Sequence, residues 1–249
     1  MYQKERIDNI IKILKQYGYV TVKFLTDELH YSTATINRDL NLMQKQKLIN
    51  RSYGGVELVK QKSVALPFRY HKMKAVKNIM GKMAADLVND GDNIFIDGST
   101  TTEYMARHLT DKKNITVITN NVAIVSYLSQ YGINVICLGG KITEPPAMLG
   151  GSDTVEAAMK YNADKMFFST ASITSDGIIG DCEMYYLVHK MMAKNSKKVY
   201  YMVDHEKVDV QSGFNGFTLD DIDGVITDYT FSDEVKAKYK SIRFIEASR

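Results

Sequence analysis

Seven short apolar runs in the later part of this 249-residue chain constrain its fold more than any other feature. They occupy 93–97, 115–119, 135–138, 165–169, 199–204, 225–227 and 242–245. Stretches of helical spacing near 73–87, 121–130, 153–161, 183–195 and 232–240 separate most of them. A strand that is apolar on consecutive residues must bury both of its faces, whereas a half-solvated strand alternates. Such strands interleaved with helices predict a largely parallel sheet wrapped by helices.

In open sheets of this kind ligands bind beyond the carboxyl ends of the strands. Three segments fall there. Gly98-Ser99-Thr100-Thr101-Thr102 joins a strand to a helix, where amides, hydroxyls and the helix dipole can hold a phosphate. Leu138-Gly139-Gly140-Lys141 combines close backbone approach with a cation, and Asp204-His205-Glu206-Lys207 supplies a second ammonium. Taken singly, a Ser/Thr-rich turn caps a helix, Gly-Gly makes a turn and a loop lysine is solvated. Three at matching positions predict a phosphorylated ligand.

The first 60 residues follow another pattern. Ile7, Ile10, Ile11, Leu14 and Tyr17 recur at helical spacing up to Gly18, a helix-stop signal. A second short helix turns Phe24, Leu25 and Leu29 inward, and His30-Tyr31-Ser32 leads into a third. Ser32 can accept from the unpaired amides of the first turn. On that third helix Ile36, Leu40 and Met43 share one side, while Ala34, Asn37, Arg38 and Asn41 share the other. Short polar side chains with one cation suit close approach to base edges, and Arg and Asn make bidentate contacts there. Gly54-Gly55 followed by Val56-Glu57-Leu58-Val59 reads as a turn and strand completing a winged helix-turn-helix.

Charge is partitioned in the same way. Residues 1–62 hold eleven basic and six acidic side chains, a net +5, and the remainder nets −2. A positive headpiece on a near-neutral body is the footprint of phosphate-backbone contact. No run approaches the roughly 18 apolar residues of a membrane span, and the amino terminus has no signal-peptide core. Cys137 and Cys182 lack metal-ligand spacing, and Cys137, ending an apolar run, is expected to be buried. His30, His71, His108, His189 and His205 are dispersed, so neither a metal nor a cofactor is expected. A reducing cytoplasm fits all of this. The apolar pattern pauses around Pro67, giving expected domains of 1–60 and 73–249 with a 61–72 linker.

Together these motifs resemble the DeoR family of bacterial transcriptional regulators over nearly the whole chain. The headpiece matches through Glu5-Arg6, Ser32-x-x-Thr35-Ile36-x-Arg38-Asp39-Leu40 and Gly54-Gly55. The body matches through Asp97-x-x-Thr100-Thr101, Thr119-Asn120, Leu138-Gly139-Gly140, Asp164-Lys165 with Phe167, Asp204-x-x-Lys207 and Thr227-Asp228. The resemblance implies a winged helix-turn-helix plus a Rossmann-like α/β sensor related in fold to ribose-5-phosphate isomerase, answering to phosphorylated sugars. It implies an oligomeric repressor that leaves its DNA operator when the effector binds. DNA contacts are then expected from Thr33, Thr35, Asn37 and Arg38 in the groove and from Arg51 and Tyr53 on the wing, with Asp39 in a structural ion pair. Effector contacts are expected from Asp97, Ser99, Thr100, Thr101, Thr102, Asn120, Gly139, Gly140, Lys141 and Lys207.

The chain departs from the family pattern in four places. Asn37 stands where Arg is common, and Tyr53 where His is common. Gly98 precedes Ser99 where the family has Asp-x-Gly-Thr-Thr. Tyr185 and His189 align with a glutamate and a basic residue, with Glu183 two positions earlier as a candidate substitute. The competing reading is a sugar-phosphate isomerase with an appended DNA-binding domain, drawing its acids and bases from Asp97, Asp176, Asp181, Glu183 and Lys207. A third is a regulator whose pocket serves protein contacts.

Overall fold

The computed structural model describes residues 3–17, 19–45, 48–52, 55–58, 72–144, 147–210 and 212–247. It divides into two compact units, Met1–Val64 and Ala65–Arg249. Tyr53, Pro67 and nearly all of the expected linker lie outside the described residues.

The first unit contains α1 (Gln3–Tyr17), β1 (Tyr19–Thr21), α2 (Val22–Leu29), α3 (Thr33–Lys45), β2 (Ile49–Ser52) and β3 (Gly55–Leu58). Ile10, Leu14, Val20, Leu25, Ile36, Leu40, Met43, Ile49 and Val56 form its core. Thr21 caps α2 by accepting from the Phe24 amide at 3.1 Å, and His30 ends it in the left-handed conformation at φ 57°. Tyr17 is half exposed rather than packed inside, with its ring edge-on to Phe24. The three strands form an antiparallel sheet in the order β1-β3-β2. At Gly55 an added Cβ would sit 2.1 Å from the Tyr19 hydroxyl across the β1–β3 pairing, so a side chain there would displace that exposed ring.

The second unit holds α4 (Lys74–Ala85), β4 (Asn93–Ile96), α5 (Thr100–Ala106), β5 (Thr116–Thr119), α6 (Val122–Ser129) and β6 (Asn134–Cys137). A hairpin follows, β7 (Lys141–Glu144) and β8 (Met148–Gly150), then α7 (Ser152–Ala158) and β9 (Ala163–Phe168). The chain continues through β10 (Ser172–Ile173), β11 (Ile178–Gly180), α8 (Glu183–Lys194), β12 (Ser196–Val203) and β13 (Asn215–Thr218). It closes with β14 (Gly224–Thr227), α9 (Asp233–Lys238) and β15 (Arg243–Glu246).

Seven strands form a wholly parallel sheet in the order β15-β14-β12-β9-β4-β5-β6. They are the seven apolar runs read from the sequence, and successive residues explain why the runs are continuous. On β4, Ile94 and Ile96 enter a core with Met80, Met105, Ile124 and Leu128, while Phe95 enters one with Ala158, Val188 and Met192. On β12, Tyr200 and Met202 face the first core, and Val199, Tyr201 and Val203 the second. Helices α4 to α6 therefore cover one face, and α7 and α8 the other. The second face also packs a small antiparallel sheet, β10-β11-β13, which the sequence pattern does not reveal.

From β4 the strand order runs outward in both directions, to β5 and β6 on one side and to β9, β12, β14 and β15 on the other. The crevice of such a reversal is where open α/β sheets place their ligands. Cys137 proves exposed, contrary to expectation, because β6 is an edge strand with one side uncovered. Among the described residues no helix is long and apolar enough to cross a membrane.

Candidate functional site

The outer face of α3 is the first candidate. Ser32 starts the helix, its Oγ accepting from the Thr35 amide at 3.2 Å and pairing with the Thr35 hydroxyl at 2.9 Å. Ile36, Asp39, Leu40 and Met43 face inward, leaving Thr33, Ala34, Arg38 and Asn41 exposed and Asn37 half-buried. Asp39 is fully buried in an ion pair with Arg6 at 2.7 Å and also accepts from Gln3 at 2.9 Å. Burial alone would raise the Asp39 carboxyl, but these partners hold it below its ordinary value. This pair ties α1 to α3 and takes the carboxylate off the helix's exposed face. Arg51, from β2, reaches back to α3: Nη1 donates to Asn41 Oδ1 and Nη2 to Asn37 Oδ1, each at 2.6 Å.

The second candidate lies where β4 and β9 diverge. Asp97 is fully buried and saturated. Its Oδ1 accepts from the Thr102 hydroxyl at 2.6 Å and the Ser99 amide at 3.2 Å; its Oδ2 accepts from the Ser169 amide at 3.3 Å. Ser99 caps α5, accepting from the Thr102 amide at 3.2 Å. The aspartate thus shapes the turn by gripping it at two points.

Two ammonium groups meet that turn from separate elements. Lys207, after β12, donates to Ser169 Oγ at 3.0 Å and reaches Thr101 Oγ1 at 3.5 Å. Lys77, buried on α4, donates to Thr100 Oγ1 at 3.0 Å. Lys77 is absent from the sequence-based set although a signal existed: it falls on the same helical face as Met73, Met80, Ala84 and Leu87. A lysine on an apolar face requires a polar partner below it.

His189, noted in the sequence only as standing at the family's basic position, is the other residue outside the expected ligand set. It is buried on α8, with Nδ1 2.7 Å from Asp181 Oδ2 and Nε2 3.3 Å from Asp97 Oδ2. Burial disfavours its charged form, but the two carboxylates outweigh that and push it up to about 10. The Nε2 contact to Asp97 is electrostatic in character, since its geometry falls short of a hydrogen bond. Glu183 is exposed in the first turn of α8, so Asp181 is the acid that this helix start carries to the interior.

The remaining expected ligand residues divide. Asn120 is buried, its Nδ2 donating to the Leu149 carbonyl at 2.8 Å, while its Oδ1 has no partner among the described residues. Gly139, Gly140 and Lys141 lie past the end of β6 and are exposed. Gly140 holds φ 130°, and an added Cβ would meet Thr154 Oγ1 at 2.1 Å, so both conformation and space demand glycine. Among the described residues no hydrogen bond or ion pair joins Lys141 to the Ser99–Thr102 turn.

Comparisons with known proteins agree with both halves. Residues 6–62 match the model of the DeoR-like helix-turn-helix domain, and residues 72–229 that of the DeoR C terminal sensor domain. The chain is 35% identical over 231 residues to the HTH-type transcriptional repressor GlcR of Bacillus subtilis, covering 92% of this chain and 89% of that one. It is 30% identical over 234 residues to the Glycerol-3-phosphate regulon repressor of Escherichia coli, covering 92% of each. Ribose 5-phosphate isomerase from Plasmodium falciparum is a distant likeness, with 16% identity and a TM-score of 0.41 over 55% of this chain and 53% of its own. Headpiece and sensor together, the chain belongs to the DeoR family of DNA-binding transcriptional regulators.

Proposed function

We propose that this regulator represses carbohydrate-metabolism genes and leaves its operator when a phosphorylated sugar or related metabolite fills the Ser99–Thr102 turn. The observation that carries this reading is the approach of Lys77 and Lys207, from different elements, to hydroxyls of one turn at the sheet's switch point. Two ammonium groups over a run of hydroxyls suit a phosphate, which brings several acceptor oxygens and up to two negative charges. Ser99, Thr100, Thr101 and Lys207 would meet the phosphate, with Gly139, Gly140 and Lys141 at the rim. Asp97 and Thr102 are occupied with each other and set the turn's shape. The unpaired Asn120 Oδ1 is an acceptor suited to a ligand hydroxyl. A relative named for the glycerol-3-phosphate regulon supports the same ligand class.

At the operator, Thr33, Thr35, Asn37 and Arg38 would enter the major groove, with Arg51 and Tyr53 on the wing. Such a chain acts in the cytoplasm as a dimer or tetramer, since coupling requires the ligand to favour one arrangement of sensor domains, and hence one spacing of α3 helices. An isomerase would need a carboxylate available to a substrate carbon; Asp97 and Asp181 are both engaged by His189. This engagement supports reading the protein as a regulator rather than as an isomerase. Isothermal calorimetry against glycerol 3-phosphate and a panel of pentose and hexose phosphates tests the sensor. Saturable heat that disappears in Thr100→Ala/Thr101→Ala is expected; a wild-type protein silent to the whole panel would overturn the reading.

A further inference from the structure

We infer that Asn41, together with Asn37, reads bases as a hydrogen-bond donor and that Arg51 imposes this role by holding both amides by their oxygens. The inference rests on the reading of α3 as the helix that enters the groove.

One guanidinium makes two 2.6 Å contacts, to Asn37 Oδ1 and to Asn41 Oδ1. Arginine has only donors, so each amide must turn its oxygen to Arg51. An asparagine side-chain amide ordinarily has two orientations of similar energy, because its terminal torsion is broad and roughly two-fold. Here the choice is removed at two positions by a residue from another element. Each Nδ2 is then directed away from the guanidinium as a donor.

This changes which base fits. Unconstrained asparagine pairs with adenine by donating to N7 and accepting from the N6 amino group. An amide whose oxygen is turned to Arg51 keeps a second lone pair but cannot also aim that oxygen at the base edge beside its Nδ2, so it meets the adenine amino group, itself a donor, at a disadvantage. Guanine offers N7 and O6, both acceptors, and suits an amide that presents its donor to the base. Asn37 and Asn41 are four residues apart, about 6 Å along the helix axis, so they address separate base pairs. Their register along the polar face with Arg38 makes guanine the expected base at the two positions they read.

Arg51 in this account is a positioning residue, and its loss should change which base is preferred beyond any weakening of binding. The test is selection from a randomised duplex pool with the full-length protein. Wild type, Arg51→Ala, Arg51→Lys, Asn41→Ala and Asn37→Ala/Asn41→Ala would be compared, with affinities for the selected duplex and a scrambled duplex measured at one salt concentration. The expected wild-type motif carries guanine at two positions. Asn41→Ala should lose about tenfold discrimination at one of them, with affinity for scrambled duplex unchanged. Arg51→Ala should shift both positions toward adenine or a mixture, and Arg51→Lys, which keeps the charge but not the fork, should do the same. In the double asparagine background Arg51→Ala should alter base preference no further.

A wild-type motif that Arg51→Ala binds with unchanged preference but uniformly lower affinity would make Arg51 a phosphate contact and overturn the inference. Adenine at both positions in the wild-type motif would overturn it as well. A wild-type protein that enriches no sequence would overturn the DNA-reading role of α3 itself, which distinguishes that failure from the others. Circular dichroism of each variant, expected to match wild type because these side chains lie outside the core, guards against loss by unfolding.

Discussion

The two candidate sites treat polar side chains in opposite ways. On α3 the polar residues stand at the surface, and a single guanidinium braces Asn37 and Asn41 from outside. At the β4 strand end Asp97, Ser99, Thr100, Thr101, Thr102 and His189 are all buried, and Asp97 is saturated by partners from the Ser99 turn, α5, the segment after β9 and α8. A surface that must approach base edges has to present its groups, and solvent satisfies them until DNA arrives. The cradle proposed for a small anion has to be shaped beforehand, and inside a protein nearly all polar groups are paired. Substitutions on the first surface should therefore cost function without stability, and substitutions at the strand end should cost both.

The largest expected effect comes from the strand end. Asp97→Ala removes the acceptor for two amides and a hydroxyl and leaves His189 facing Asp181 alone. A loss of about 3–5 kcal/mol is expected, as for one partner deleted from a buried ion pair, seen as a lower urea midpoint at unchanged slope. A variant as stable as wild type would break the contrast.

The next effect is pH-dependent. A histidine raised from its ordinary value to about 10 is protonated in both states below about pH 6.5, and its stabilisation is then complete. As pH rises toward 10 the unfolded chain sheds the proton first, so stability falls across that window. Thermal melts of wild type should show this decline, and His189→Gln should lack it. Parallel slopes for the two proteins would remove the charged His189 from the account.

Arg38→Ala probes the exposed surface. Specific operator affinity should fall about 10- to 100-fold, while the melting temperature and the heat of ligand binding remain those of wild type. A destabilised protein would mean that the helix face is structural.

The two lysines sharpen the contrast within the sensor. Lys207→Ala should weaken sugar-phosphate binding about 10-fold or more, as a lost charge-assisted hydrogen bond does. Lys141→Ala, at the exposed rim, should change it by no more than about twofold. Equal losses would bring the β7 loop into direct contact with the ligand.

The sequence made the parallel sheet legible because each strand carries apolar residues on consecutive positions, a requirement of feeding two cores at once. It concealed β7, β8, β10, β11 and β13, which are only two to four residues long, too short for a hydrophobic period to show. One of their pairings, β11 with β13, joins residues far apart in the chain, such as Gly180 with Asn215. The exposed polar face of α3 could be read locally because exposure, capping and spacing all act within one element. Asp39 as a structural ion pair was likewise legible from its side of that helix, and Arg6 completes it. Partners drawn from different elements were not: nothing near His189 in sequence points to Asp97, and nothing near Arg51 points to Asn41. Lys77 was the exception, visible as a charge on an apolar helix face.

As a regulator, the protein must pass ligand occupancy to DNA affinity within one chain. Fluorescence anisotropy of a labelled operator at fixed salt, titrated with protein in the presence of glycerol 3-phosphate and each pentose and hexose phosphate, measures it directly. One of these ligands should raise the operator dissociation constant at least about 10-fold, and operator DNA should weaken that ligand's binding by the same factor. Operator affinity unmoved by every phosphate that binds the sensor would contradict the account.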